Sequence, residues 1–169
     1  MYRDIVASAK SYYRLSMIAP AFRLKYYMKN STDSFGVDLS NLDKPMHLDS
    51  NLTTGVLLVA VKIASYLDLR RRGFDISALR YEDLVARPLD MCRVILEFCH
   101  LPVSLAELAV KAFDVDSQAN CEAAKSAVGH FKEPQLTPQI KTELNEVLKQ
   151  LGVPLIGEPG IIEGTLSCD

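Results

Sequence analysis

The sequence predicts an α/β fold, mostly helical, with one clear strand. Three observations lead there. Apolar residues recur at helical spacing over most of the chain. One stretch, Ile76–Tyr81, alternates instead, and an acidic turn and Pro88 follow it. Helix, strand, turn, helix is the grammar of a parallel sheet covered by helices. A lone strand cannot satisfy its own backbone donors and acceptors. The partner strands are therefore expected before Met1, and residues 1–169 are read as one partial domain.

The elements are justified in order. Residues from Ile5 to about Met28 read as mostly helical, with a mixed face at Tyr12, Tyr13, Leu15 and Met17 and a break or kink at Pro20. Asn30 to Asn51 is rich in Ser, Asp and Asn and reads as a loop. Asn51, Thr53 or Thr54 can cap the next helix, which runs to about Arg72. Val56, Leu57, Val59, Ala60, Ile63, Ala64 and Leu67 give it a broad apolar face, so it is expected to be buried. Arg70, Arg71 and Arg72 oppose the negative end of its dipole.

After the strand, Pro88 suits the first position of a helix with the face Leu89, Cys92, Ile95, Leu96 and Cys99, which stops before Pro102. Another helix is expected over Ser104–Phe113, then a polar loop from Asp114 to Asn120. Thr137-Pro138 opens the last clear helix, with Ile140, Leu144, Val147, Leu148 and Leu151 on one face and Gly152 after it. The tail from Pro154 reads as irregular.

Composition narrows the function classes. Hydrophobic residues make up 49%, enough for a sizeable core, and the net charge of −2 gives no reason to expect a nucleic-acid partner. The longest apolar run, Val56–Val61, is far short of the roughly 20 residues that span a bilayer. The start shows no secretory pattern. Cys92, Cys99, Cys121 and Cys168 form no CxxC pair and have no His at metal-ligand spacing, so they are read as buried free thiols of a reducing compartment.

Two segments can carry chemistry. Arg3 and Ser11 straddle a helix start, where a guanidinium, a hydroxyl and backbone N–H groups can converge on one anion. Alone, this spacing is also what an exposed Arg and a polar helix residue would give. In Leu79-Arg80-Tyr81-Glu82-Asp83-Leu84, Tyr81 ends the strand, where ligands of open α/β sheets bind.

Together these segments resemble the sulfotransferase family that uses 3′-phosphoadenosine 5′-phosphosulfate (PAPS) as donor. Arg3 and Ser11 match its Arg, seven residues, Ser pattern, and Tyr81-Glu82-Asp83 matches its Tyr-Glu-Asp segment. The wording is similar to carbohydrate-type members at least as much as to cytosolic ones. The resemblance runs from Met1 to about Leu101. It implies the C-terminal part of a P-loop-type, three-layer parallel-sheet fold. It also implies that Arg3 and Ser11 bind the donor's 3′-phosphate and that Tyr81 contacts the adenine end. An acceptor hydroxyl or amine, on a carbohydrate for example, would attack sulfur in line. Cytosolic members suit the cysteines, whereas carbohydrate-type members work in the Golgi lumen behind an N-terminal anchor.

The departures are equally plain. No Gly-rich loop followed by Lys and Ser or Thr occurs. His47, His100 and His130 all lie downstream of the Arg3–Ser11 pair, so no base is carried over. Ser117, Asn120 and Lys125 are the only candidates for the family's last nucleotide-contacting loop. Two rivals stand beside this reading. One is a non-catalytic helical interaction module; the other is a nucleotide-kinase-like relative that would ignore a 3′-phosphate.

Overall fold

The structure, a computed structural model, describes residues 1–18, 51–115 and 135–168. The chain forms α1 (Ile5–Ile18), α2 (Asn51–Arg71), α3 (Tyr81–Ala86) and α4 (Pro88–Phe98). A 3₁₀ turn (Val103–Leu105), α5 (Ala106–Val110), a second 3₁₀ turn (Lys111–Asp114) and α6 (Pro138–Leu151) follow.

The core is helix on helix. α1 and α6 both pack on α2, whose Val56, Leu58, Ala60 and Val61 have no exposed surface. Residues Leu52–Arg71 are apolar and long enough to cross a membrane by length and composition, yet 72% of that window is buried inside the protein, as in a core helix. Thr53 and Thr54 lie buried within α2 instead of capping it. α1 approaches α2 so closely that a Cβ on Gly55 would sit 3.1 Å from the Ala9 carbonyl oxygen. Only glycine leaves room for that crossing.

α6 follows its sequence pattern closely. Thr137 Oγ1 accepts from the Ile140 N–H at 3.3 Å, and Gly152 closes the helix in the left-handed region at φ 66°. Leu144, Val147 and Leu148 are buried against α2.

The expected α/β P-loop fold with a parallel sheet is not what forms. Among the described residues there is no strand. Residues 76–80 run partly extended but make only isolated parallel bridges, from Arg80 to Tyr2 and from Ala78 to Thr165. α3 begins at Tyr81, so the alternation that suggested a strand is cut off by a helix. Part of the pairing of this segment is found within the chain itself. Tyr2 N donates to the Leu79 carbonyl and Tyr81 N to the Tyr2 carbonyl, both at 2.8 Å. On the other side, Ala78 N donates to Gly164 O at 2.9 Å, and Leu166 N to Ala78 O at 2.8 Å. One or two bonds per neighbour pair part of this backbone without building a sheet.

Smaller corrections follow. α1 ends its described length at Ile18, and the Pro20 break and the loop over 30–50 lie outside the described residues. α4 starts with Pro88 as expected, but it buries Met91 and Cys92 most deeply, while Cys99 is exposed. Burial pushes the Cys92 thiol pKa up. The helix expected over 104–113 is a short α5 between two 3₁₀ turns. The polar stretch after Val115, with Ser117, Asn120, Cys121 and Lys125, is outside the described residues.

Candidate functional site

α1 presents Ser8, Ser11 and Tyr12 on one face, spaced by three and four residues. α2 presents Val59, Lys62, Ile63 and Tyr66 with the same periodicity. Between these faces lies a cavity of about 480 Å³, a size suited to a small-molecule ligand. Its remaining walls come from Met1, Tyr2, Arg3, Ser77, Ala78, Tyr81 and Ile162. Arg3, Ser11 and Tyr81 thus line one cavity, although 78 positions separate the first from the last (81 minus 3). Arg3 and Ser11 also line a smaller, adjoining cavity of about 260 Å³ with Asp4, Lys10 and Arg14.

The bridge between Tyr2 and Arg80 sets Arg3 beside α3. The Arg3 guanidinium carbon lies 4.9 Å from the centroid of the Tyr81 ring, a cation–π distance, and its Nε lies 3.9 Å from Glu82 Oε1. Glu82 is shared: Arg80 Nε lies 3.6 Å away, and the Asp4 N–H donates to it at 3.0 Å. The Arg3 side chain is 45% exposed, so its pair with Glu82 is worth no more than about 1 kcal/mol. A dianion can displace such a partner.

Two expectations change here. Backbone N–H groups at the α1 start were expected to help hold an anion. The Asp4 side chain instead accepts from the Ala7 N–H at 2.8 Å, capping that end. The ring of Tyr81, assigned to a base, has a face already covered by Arg3.

Residue spacing alone missed Lys62 and Tyr12. Lys62 Nζ donates to Tyr12 Oη at 2.7 Å and lies 5.1 Å from the centroid of that ring. A signal was present: Lys62 is the one charged residue between Asn51 and Leu67. Among the described residues, the cavity wall therefore carries two cations, three phenols besides that of Tyr12, and three serines, and no carboxylate. Such a wall favours an anionic ligand with a ring. Among the described residues no cluster of His, Cys, Asp and Glu is placed to hold a metal ion. His100 is exposed and does not line the cavity, and His47 and His130 fall outside the described residues.

Comparison of the chain with family models, with curated proteins and with solved structures finds no match. What the site does is therefore argued from its own residues.

Proposed function

We propose that this cavity binds the 3′-phosphoadenosine portion of PAPS, in a sulfotransferase-like protein whose acceptor bears a hydroxyl or amine. The observation that carries the reading is the convergence of Arg3, Ser11 and Tyr81 on one cavity wall. Arg3 supplies a forked donor for a phosphate, Ser11 a hydroxyl, and the Tyr81 side an aromatic surface. These roles are binding and positioning. The 3′-phosphate does not react, so the reading assigns no catalytic base and draws nothing from a sheet architecture.

The test is a thermal-shift titration of the full chain with 3′-phosphoadenosine 5′-phosphate, with adenosine 5′-phosphate as control. A ligand at a hundred times its Kd stabilises by about 2.7 kcal/mol. The expected result is a shift only with the 3′-phosphorylated nucleotide, lost in Arg3→Ala. Equal response to both nucleotides, or an Arg3→Ala protein that binds as wild type, overturns the assignment.

A second reading, the helical interaction module, draws on the exposed apolar side chains of Phe98, Leu101, Leu108 and Phe113. It predicts a cooperative melt with no nucleotide response.

A further inference from the structure

We propose that Glu82 is a built-in competitor for the Arg3 guanidinium, and that Arg80 takes over the Glu82 carboxylate when a phosphate dianion occupies Arg3. This regulation rests on the reading of Arg3 as a ligand of the 3′-phosphate.

The Glu82 carboxylate stands between two guanidiniums. Its Oε1 lies 3.9 Å from Arg3 Nε, and its Oε2 lies 3.6 Å from Arg80 Nε. Both are ion-pair distances, and neither is a hydrogen bond. Among the described residues, the carboxylate accepts one hydrogen bond, from the Asp4 N–H to Oε1 at 3.0 Å. Oε2 is buried and accepts none. A buried acceptor left without a donor is costly, so this oxygen gains by drawing one closer. A shift of less than about 1 Å closes the Arg80 contact to a charge-assisted bond.

Neither Glu82 nor Arg80 lines the cavity of about 480 Å³, whereas Arg3 does. Glu82 therefore acts on a ligand through Arg3, as a positioning residue. Without an anion, it partly neutralises Arg3 beside the Tyr81 ring. When a phosphate arrives, the same carboxylate competes for the guanidinium and repels the dianion. Passing its charge to Arg80 removes both effects without leaving Glu82 unpaired. Arg80 suits that role. Its side chain is 25% exposed, against 45% for Arg3, and its Nη1 is already engaged by Asp83 Oδ1 at 3.4 Å. A forked guanidinium can serve both carboxylates at once.

The test is titration calorimetry of the full chain with 3′-phosphoadenosine 5′-phosphate, and with adenosine 5′-phosphate, which leaves Arg3 unengaged. Glu82→Gln keeps the acceptor for the Asp4 N–H and removes the charge. It is expected to tighten the 3′-phosphorylated nucleotide about three- to fivefold, the most that an exposed ion pair contributes, and to leave the other nucleotide unchanged. Arg80→Met should weaken the 3′-phosphorylated nucleotide by a similar factor, and Arg80→Lys should restore it. In the double variant Glu82→Gln/Arg80→Met that loss should vanish, because no carboxylate remains to be taken over. A merely structural Arg80 would show the same loss in both backgrounds. Folded Glu82→Gln that binds no more tightly than wild type, or an Arg80→Met loss that persists in the double variant, overturns the proposal and leaves the donor-site reading standing. If Glu82→Gln loses its cooperative melt, the comparison is read in Arg80→Met, where unchanged affinity overturns the proposal. No preference of folded wild type for the 3′-phosphorylated nucleotide overturns both.

Discussion

The helices of the α1–α2–α6 body are poorer in apolar residues than those of the α3–α5 segment, yet they bury far more of them. In the first, Val56, Leu58, Val61, Leu144 and Leu148 have no exposed surface. In the second, only Leu84, Met91, Cys92 and Ala106 are buried, while Phe98 is 42%, Leu101 51% and Leu108 64% exposed. A long helix packed on two sides holds its side chains in place, whereas a string of short turns leaves half of them in water. The cavity takes nearly all its walls from the first region and its edges. Tyr81, the first residue of α3, is the one residue it draws from the second.

The sharpest way to break this contrast is a pair of truncations. Leu148→Ala should cost about 2–5 kcal/mol by removing fully buried methyl groups. Leu108→Ala should stay within about 0.5 kcal/mol. Urea unfolding of both variants decides it, and comparable losses would mean that the second region is packed as deeply as the first.

Gly55→Ala probes the crossing beneath the site. The new Cβ would meet Ala9 backbone, so α1 must move away from α2, at about 1–3 kcal/mol. Ser8, Ser11 and Tyr12 ride on α1, so nucleotide affinity should fall with stability. A Gly55→Ala protein with unchanged affinity would show that the cavity does not depend on this close approach.

Smaller effects sharpen the picture. Thr137→Ala removes the α6 cap and should cost about 1 kcal/mol, read as a lower urea midpoint with an unchanged slope. Among the thiols, Cys99 should react with iodoacetamide well before Cys92, as peptide mapping would reveal. Cys92 is only 6% exposed, and its raised pKa keeps it protonated. The same shift gives a sign for pH dependence. A thiol whose folded pKa is raised favours the native state below its unfolded value. That contribution is lost as the pH climbs above it, beyond about 8.5.

The helices were legible because local signals agree with packing. Thr137-Pro138, the apolar face over 140–151 and Gly152 all point to one helix, and α6 has those bounds. Ile76–Tyr81 misled because alternation reports only which side chains face inward. Whether a neighbour pairs over one residue or six depends on distant segments, here Tyr2 and Thr165. The same limit applied to the site. Arg3 and Ser11 stand out by their spacing and Tyr81 by its place after the extended segment, but the ammonium of Lys62 joins them only because α1 and α2 cross where they do. Nor could spacing show that Asp4 and Glu82 already engage the N–H groups expected to serve an anion.

The three-segment junction around Ala78 has a consequence for the order of folding. Tyr2 Oη and Thr165 Oγ1 lie 2.9 Å apart across 163 positions of sequence, and Ile162 beside them closes a wall of the cavity. Closing so long a loop must precede the contacts that reward it. In refolding, α1 and α2 can pair while the cavity still lacks the wall that Ile162 closes, so ligand competence should appear after the helical body has formed.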